Sequence, residues 1–276
     1  MSESPIAKTK IALLGPEYSY SYLAGIKAFP SPKTEIIICD RIEHVFQKVT
    51  EKKAAQGIIP LENMLEGSVR ESIKNFLQYK VKINKAYTMP IHHCLAAQDS
   101  DYEVIASHAQ ALGQCSGFIK NQKDITMVEY PSTSQAMNKA AASGTYAAIG
   151  SVEAAEHYGL SILYRDIEDN HDNVTKFVVI SLEETVRKEN AKTSLILKPK
   201  DDRPGLLFNL LAPFALKNIN LGKIESLPSG RKMGEYVFYL EIEGNVEDQK
   251  VKSALDFLED IVEVYSLGSY EVIDLK

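Results

Sequence analysis

Three short polar clusters contain the residue types that could do chemistry, and each follows a hydrophobic run. They are residues 60–63 (Pro-Leu-Glu-Asn), residues 107–115, which include Ser107 and Gln114, and residues 173–177 (Asn-Val-Thr-Lys-Phe). They supply uncharged hydrogen-bond donors and acceptors, and they lack the paired carboxylates, Cys/His pairs and ligand spacings of a metal site. This combination indicates a site that binds a small polar anion through hydrogen bonds and needs little acid–base power from the protein.

The composition is typical of a globular protein. With 276 residues, 45% of them hydrophobic, the chain can bury a substantial core and is expected to form two domains. A net charge of −6 argues against a nucleic-acid partner, because an acidic surface repels phosphate. The first residues lack a signal-peptide pattern and no run approaches the roughly 20 apolar residues that span a bilayer, so we expect a cytoplasmic protein with no membrane partner. Cys39, Cys94 and Cys115 are widely spaced and are interpreted as reduced packing residues.

Short apolar runs alternate with helical patterns through the first 180 residues. The runs 10–14, 35–39 and 56–59 read as strands covered on both faces, and Ile42, Val45, Phe46 and Val49 recur at helical spacing between the last two. The alternation continues with strands at 102–106, 125–130 and 146–149 and helices at 108–120 and 133–143. This order predicts a doubly wound α/β structure with two lobes and a cleft between them, with crossovers near 81–97 and 162–173.

A second pattern follows a charged linker at residues 183–190. Strands are predicted at 193–197, 219–226, 236–242 and 261–265, and helices at 206–216 and 251–258. A turn at Asp201–Gly205 precedes the first of these helices, and Pro228–Gly230 lies between the two middle strands. The order is βαββαβ, which is the ferredoxin-like arrangement.

These residues carry a family resemblance that covers nearly the whole chain. Six segments occur in the order seen in prephenate dehydratases: 15–21, 57–69, 107–115, 132–134, 148–160 and 173–177. The tail resembles the ACT regulatory domain, through residues 202–207 and 224–228. The resemblance implies a periplasmic-binding-protein-like catalytic domain at residues 8–185 and an ACT domain at 191–276. The sequence departs from the family pattern at Tyr18, Met64, Lys176 and Leu227, which stand where Gly, Ser, Arg and Arg are usual.

The resemblance also implies an activity and a set of site residues. A prephenate dehydratase removes the ring hydroxyl and ring carboxylate of prephenate, giving phenylpyruvate, carbon dioxide and water, with no cofactor or metal. Thr175 would donate a proton to the leaving hydroxyl, helped by Asn63, Ser107 and Gln114. The expected substrate-binding residues are Glu62, Ser19, Ser21, Ser132, Thr133, Ser134, Asn173, Lys176 and Phe177. At position 176 the planar guanidinium of the usual arginine is replaced by the ammonium group of lysine, which cannot bind a carboxylate in a bidentate way.

The ACT resemblance implies feedback control by phenylalanine. The effector would lie where Gly205 precedes Leu206 and Leu207 at a helix start, with Glu225 and Ser226 contributed by a neighbouring subunit. A homodimer or homotetramer is therefore expected. The alternative for Gly205 is that it only permits the strand-to-helix turn.

Other interpretations stay open at this point. Asn63 could cap a helix beginning near Glu66, and Ser107 or residues 132–134 could serve as helix caps alone. Glu62 could tie down a loop. His92 and His93 are adjacent in an extended segment, so they face opposite sides and are interpreted as structural. The chain as a whole could act on arogenate, the aminated analogue of prephenate, or could be a binding or regulatory relative without turnover.

Overall fold

The computed structural model describes residues 8–184, 191–230 and 235–275. The first lobe is built around a sheet whose strands and helices follow each other along the chain. Its elements are β1 (Thr9–Leu14), α1 (Tyr20–Ala28), β2 (Thr34–Cys39), α2 (Ile42–Thr50), β3 (Gln56–Asn63), β4 (Gly67–Ser68), α3 (Arg70–Gln78) and β5 (Lys82–Pro90). The apolar stripe predicted for α2 is buried against the sheet, with Val45 and Phe46 fully covered.

The second lobe has a separate five-stranded sheet. Its elements are β6 (Cys94–Ala97), β7 (Val104–Ser107), α4 (Ala109–Gln114), α5 (Ser116–Lys120), β8 (Thr126–Glu129), α6 (Thr133–Ala141), β9 (Tyr146–Gly150), α7 (Val152–His157) and β10 (Ser161–Tyr164). The single helix predicted over residues 108–120 is wrong in one respect. It is interrupted at Cys115, whose φ of −112° and ψ of 23° end α4 before α5 begins.

Two crossovers join the lobes. The chain leaves the first sheet at Pro90 and enters the second at Cys94; it leaves the second at Tyr164 and returns as β11 (Val174–Ser181). β11 lies antiparallel between β3 and β5, in the interior of the first sheet. The two-lobed, doubly wound prediction is confirmed, and the end of β11 lies directly beside the cleft.

The C-terminal region has the predicted βαββαβ order. It comprises β12 (Lys192–Pro199), α8 (Leu206–Leu216), β13 (Leu221–Pro228), β14 (Tyr236–Glu243), α9 (Gln249–Leu258) and β15 (Val262–Asp274). Both helices pack on one face of the sheet through a core that includes Leu210, Phe214 and Leu258. Residues 185–190 of the predicted linker and 231–234 of the β13–β14 connection lie outside the described residues.

The last strand is much longer than the predicted 261–265. β15 first pairs with β12, then passes Gly268 and runs parallel to β5, with Glu271 opposite Lys85 and Asp274 opposite Thr88. Gly268 has a φ of +128°, and a Cβ there would lie 2.4 Å from the carbonyl oxygen of Ile83, so only glycine fits. β15 thereby joins the C-terminal sheet to the first-lobe sheet in one ten-stranded sheet.

The three cysteines all lie in apolar cores. Cys39, Cys94 and Cys115 are free and buried. Burial raises the pKa of Cys94 to about 12, and burial also raises the pKa of Cys115, so both remain neutral thiols. These are the surroundings expected of packing residues. Over the described ranges, none of the helices combines the length and apolar character needed to cross a membrane.

Candidate active site

A cavity of about 290 Å³ lies between the two lobes, at the end of β11. The first lobe, the second lobe and the first crossover all contribute to its wall. Its polar lining consists of Ser19, Tyr20, Ser21, Asn63, Glu66, Ser68, His93, His108, Gln110, Gln114, Ser132, Thr133 and Thr175. Lys and Arg are absent from this lining within the described residues, so an anion in the cavity would be held by neutral donors.

Thr175 and Asn63 are paired across β11 and β3 and face the cavity together. The Asn63 side-chain N–H group donates to Thr175 Oγ1 at 2.9 Å and to Asn173 Oδ1 at 2.8 Å. Because the Thr175 oxygen already accepts this hydrogen bond, its own O–H remains available to donate into the cavity. Two of the four residues predicted to be catalytic therefore form one hydrogen-bonded unit. Phe177, two residues along the same strand, also lines the cavity.

The prediction that Asn63 caps a helix is wrong. α3 begins at Arg70, beyond the predicted start near Glu66. Asn63 Oδ1 instead accepts the backbone N–H groups of Leu65 and Glu66, both at 3.1 Å. These two bonds fix the orientation of the amide, because a backbone N–H can only donate. The side-chain nitrogen must therefore face Thr175 and Asn173.

Gln114 and Asn173 continue the polar wall towards the second lobe. Asn173 Nδ2 donates to Gln114 Oε1 at 3.3 Å, and the same oxygen lies 3.1 Å from His93 Nε2. Asn173 is buried behind Asn63, so its role in this structure is to connect the other two amides. Gln114 Nε2 is buried without a hydrogen-bond partner among the described residues. A buried amide N–H group without a partner is rare, and Gln114 also lines the cavity.

Two of the predicted serine clusters lie at helix N-termini that border the cavity. Ser19 caps α1 from the first lobe and accepts from the N–H of Tyr22, and Ser132 caps α6 from the second lobe and accepts from the N–H of Gln135. Ser21 and Thr133 line the cavity beside them. The positive ends of two helix dipoles thus point at the cavity from opposite sides, which suits a ligand with two anionic groups.

Ser107 and Ser134 are not part of the cavity lining. The Ser107 hydroxyl is buried and donates to the carbonyl of Ile149 at 2.6 Å, and His108, one residue later, is the N-cap of α4. The Ser134 hydroxyl donates to the carbonyl of Glu17. Ser107, predicted to help Thr175, braces the second-lobe sheet instead of facing the cavity, and Ser134, predicted to bind substrate, ties α6 to the loop before α1.

Lys176 and Glu62 also lie elsewhere than predicted. They are paired in register next to Thr175 and Asn63, and successive strand residues face opposite sides of a sheet. Lys176 Nζ lies 2.9 Å from Glu241 and 3.4 Å from Glu62, and Lys223 Nζ lies 2.6 Å from Glu62. Glu241 and Lys223 belong to the C-terminal region. Neither Lys176 nor Glu62 lines the cavity, so their predicted contact with a substrate is corrected to an ionic contact between regions.

Glu241 is the centre of this ionic cluster. Its side chain is only 3% exposed and also contacts Lys192 Nζ at 3.0 Å and accepts from the Tyr270 hydroxyl at 3.1 Å. Burial alone would raise the pKa of this carboxyl, but the charges and hydrogen bonds of Lys176 and Lys192 outweigh it and hold the pKa below its usual value. Glu241 is therefore a buried carboxylate whose charge depends on two lysines, one of them adjacent to Thr175.

Tyr18 occupies a backbone conformation that explains why glycine is usual there. Its φ is +60°, in the left-handed region that costs a residue with a side chain about 1 kcal/mol. Its ring stacks on His157 of the second lobe, with centroids 3.8 Å apart. The aromatic contact between lobes offsets part of the backbone cost.

The predicted effector residues lie on separate elements of one chain. Gly205 has a φ of +79° and is the N-cap of α8, with Leu206 buried and Leu207 exposed beside it. Ser226 is exposed on β13, an edge strand of the ten-stranded sheet, and Glu225 lies 3.6 Å from Arg70 of the first lobe. The edge position leaves β13 free to pair with another chain.

A second group of polar residues joins the two crossovers outside the cavity. Glu168 accepts from the backbone N–H of His93 at 2.8 Å, and His92 Nδ1 lies 2.7 Å from the same carboxylate. His92, Asp166 and Glu168 are close enough together to share a metal ion. His171 Nδ1 also lies 3.3 Å from Glu168, so three histidines contact this carboxylate, and its role is to hold one crossover against the other.

His93 lines the cavity, although the sequence interpretation gave it a structural role. Five other polar lining residues were also not among the predicted site residues: Tyr20, Glu66, Ser68, His108 and Gln110. The rule that adjacent residues of an extended segment face opposite sides is obeyed, since His92 faces outward and His93 inward. The sequence offers no signal for which of the two faces the cavity, because that depends on how the crossovers pack together.

The comparisons with known proteins agree with this architecture. The family model for prephenate dehydratase matches residues 11–185, and that for the ACT domain matches residues 200–260. A bifunctional chorismate mutase/prephenate dehydratase of Aquifex aeolicus is 37% identical, over 95% of this chain and 74% of its own length. A prephenate dehydratase of Methanocaldococcus jannaschii is 39% identical, over 87% of this chain and 89% of its own.

Other similar proteins are named for further activities. An Arabidopsis thaliana arogenate dehydratase/prephenate dehydratase is 32% identical, over 98% of this chain and 74% of its own length. Among solved structures, an Arthrobacter aurescens prephenate dehydratase in complex with L-Phe has a TM-score of 0.87 at 29% identity, covering 95% of this chain and 90% of that one. A quorum-quenching acylase, GqqA, has a TM-score of 0.84 at 25% identity, covering 95% and 97%.

The fold and the cavity define a two-lobed α/β enzyme with an ACT domain at its C-terminal end. The chain belongs to the prephenate dehydratase family.

Proposed function

We propose that this protein converts prephenate to phenylpyruvate in the cavity between its lobes. The observation that carries the proposal is the Asn63–Thr175 unit, in which the threonine oxygen accepts from a fixed amide and its O–H faces the cavity. The ring carbon–carboxylate bond breaks and its electron pair completes the aromatic ring. The carbon–oxygen bond breaks at the opposite ring carbon, and the departing hydroxyl takes a proton and leaves as water.

A described lining without lysine or arginine suits this reaction. The two carboxylates of prephenate would lie towards the N-termini of α1 and α6, where Ser19, Ser21, Ser132 and Thr133 offer hydroxyls. Neutral donors can hold the ring carboxylate without the strong ionic contact that would oppose its departure as carbon dioxide. Thr175 is a weak acid, so it acts only as the leaving hydroxyl develops negative charge in the transition state. The reaction consumes one proton per turnover, which must come from solvent after Thr175 has given up its own.

Arogenate is the second candidate substrate, because a relative named for both activities is 32% identical. It differs from prephenate by an amino group in place of the side-chain keto group. The exposed Glu66 at the cavity is the lining carboxylate that could accept an ammonium group. We favour prephenate, since relatives named for that substrate have higher identity.

A direct assay separates the two substrates. Purified protein is incubated with each compound at equal concentration, and phenylpyruvate and phenylalanine are measured by chromatography. We expect kcat/KM for prephenate to exceed that for arogenate. A preference for arogenate would change the substrate assignment, and turnover of neither would contradict the proposed function.

We also propose that phenylalanine regulates the enzyme through residues 191–276, which we take as a domain separate from the catalytic residues 8–185. A related structure is named as a complex with L-Phe. Gly205–Leu207 of one chain and Glu225–Ser226 of a second would form the site, which requires at least a homodimer paired along the β13 edge. The exposed Phe208 and Leu216 of α8 are apolar surface that a second copy could cover. A tetramer would need a second interface, and a cytoplasmic location remains a prediction.

The regulatory proposal predicts reciprocal coupling. Calorimetric titration of phenylalanine, with and without a prephenate analogue, should show affinities that differ by about 5- to 150-fold. Sedimentation velocity should show a dimer or larger assembly in both cases. Ser226→Asp, which puts a like charge beside Glu225, should weaken phenylalanine binding and leave basal turnover unchanged. Phenylalanine binding that ignores the analogue would show that the C-terminal region does not regulate the cavity.

A further inference from the structure

A single chain of hydrogen bonds runs around the wall of the cavity and visits both lobes. It passes from Thr175 through Asn63, Asn173 and Gln114 to His93 and ends at Tyr20. Thr175 and Asn63 belong to the first lobe, Gln114 to the second, His93 to the first crossover and Tyr20 to α1. Each member contacts the next at 2.8 to 3.3 Å.

The direction of this chain is determined at one end by backbone groups. The N–H groups of Leu65 and Glu66 donate to Asn63 Oδ1, so Asn63 presents its NH₂ group to Asn173. Asn173 must then accept with its oxygen and present its own NH₂ group to Gln114. Gln114 in turn must accept with Oε1, because a reversed amide would place NH₂ against NH₂.

The direction of the amides decides the proton position on His93. Gln114 Oε1 can only accept, so the His93 Nε2 atom facing it must carry the hydrogen. Burial lowers the pKa of His93, which favours the neutral ring. A neutral ring with hydrogen on Nε2 has a lone pair on Nδ1, and the Tyr20 hydroxyl lies 2.8 Å from that atom. Burial raises the pKa of Tyr20, so the phenol keeps the proton it needs to donate.

We propose that Tyr20 and His93 are positioning residues for Gln114: the Tyr20 hydroxyl stabilises the Nε2–H tautomer of His93, and this N–H acts together with the NH₂ group of Asn173 to hold Gln114 Oε1, so that the Gln114 NH₂ group is turned towards the substrate. The proposal rests on the proposed function. It accounts for the unpartnered Gln114 Nε2 in a cavity-lining side chain. The group that this NH₂ would contact is an oxygen of the substrate, either a carboxylate or the leaving hydroxyl.

The Tyr20 hydroxyl has a second acceptor within reach, the carbonyl oxygen of His92 at 2.6 Å. Donation to that carbonyl alone would set the lone pair of the phenol against the lone pair of Nδ1. Moving the histidine hydrogen to Nδ1 would relieve that conflict but would then set the bare Nε2 against Gln114 Oε1. The amide chain opposes this second arrangement, so the Nε2–H tautomer is the one consistent with every neutral donor and acceptor.

The test combines kinetics with a tautomer measurement. Variants Tyr20→Phe, His93→Leu and His93→Gln are compared with Tyr79→Phe, which deletes a hydroxyl that contacts Glu43 away from the cavity. We expect kcat on prephenate to fall roughly 2- to 10-fold in Tyr20→Phe, the value of one hydrogen bond, and roughly 100-fold in His93→Leu through a misplaced amide. His93→Gln, whose Nε2 can still donate, should recover much of that loss. Tyr79→Phe should match wild type.

The tautomer is read by ¹⁵N NMR of protein with labelled histidine, with the His93 signal assigned by its loss in His93→Gln. We expect the Nε2–H form in wild type at pH 8 and a larger share of the Nδ1–H form in Tyr20→Phe. This measurement needs no turnover, so it separates failure of the proposed function from failure of the positioning role. An Nδ1–H ring in wild type, or unchanged kcat in both His93→Leu and Tyr20→Phe, would overturn the proposal.

Discussion

Replacement of Thr175 by valine is expected to lower kcat by about 10²–10⁴, the contribution of one positioned acid–base group. Valine keeps the branched shape of threonine and its preference for strands, so β11 should form unchanged. It removes the O–H that faces the cavity and the oxygen that accepts from Asn63 at 2.9 Å. Initial-rate measurements of phenylpyruvate formation give the change.

Two further variants distinguish catalysis from packing. Thr175→Ser retains the hydroxyl and should keep most of the activity, with KM near that of wild type. Val179→Thr exchanges valine for threonine further along the same strand, at a buried position away from the cavity. It shows how far an exchange between these two residue types affects the folding of β11. Full activity of Thr175→Val would remove this residue from the chemical step.

Replacement of Lys176 by methionine is expected to destabilise the folded protein by about 3 kcal/mol. This is the lower end of the range for a buried carboxylate that loses a partner, because Lys192 still contacts Glu241. Urea denaturation at pH 7 gives the free energy of unfolding. Lys198→Met is the matched control, since its partner Glu263 is 49% exposed and the pair should contribute about 1 kcal/mol or less.

The pH dependence of this effect has a definite sign. The pKa of Glu241 is lowered in the folded state from an ordinary value of 4.5, so the ionic contacts stabilise the protein above pH 4.5 and lose their effect as pH falls through the lower folded-state value. The difference in stability between wild type and Lys176→Met should therefore shrink as the pH is lowered below 4.5. A difference that stays constant would show that Lys176 acts through packing alone.

Lys176 connects the cavity wall with the C-terminal region. Its neighbours Thr175 and Asn63 face the cavity, while Lys176 and Glu62 contact Glu241 and Lys223 of the C-terminal region. If phenylalanine binding shifts these partners, the shift would act on the strand pair that holds Thr175 and Asn63. In Lys176→Met, we expect phenylalanine to bind and its coupling to prephenate affinity to decrease.

Local patterns predicted most of the elements. α8 begins and ends at the predicted Leu206 and Leu216, because its apolar run follows a glycine turn and contains strong helix formers. The second half of β15 was missed, since its pairing with β5 joins residues nearly 190 apart and leaves no local signature. This pairing makes the C-terminal region part of the same sheet as the first lobe.

The sequence predicts which residue types form the site better than it predicts which way their side chains face. The family resemblance picked out Asn63, Gln114 and Thr175, and the structure brings all three to the cavity. The alternation of strand side chains already implies that Lys176 faces away wherever Thr175 faces inward, so that error was avoidable. The inward orientation of His93 was not, because it depends on contacts between two crossovers distant in the sequence.

The most direct test of the central claim is a stoichiometric assay of purified, chelator-treated protein with prephenate in a weakly buffered solution. The solution is held near pH 6 and swept with nitrogen, so that carbon dioxide leaves before it hydrates and releases a proton. The account predicts that phenylpyruvate and carbon dioxide appear in equal amounts and that one proton is consumed for each molecule of phenylpyruvate formed. It also predicts that Thr175→Val slows all three signals together. Binding of prephenate without any of these products, or equal rates in wild type and Thr175→Val, would contradict it.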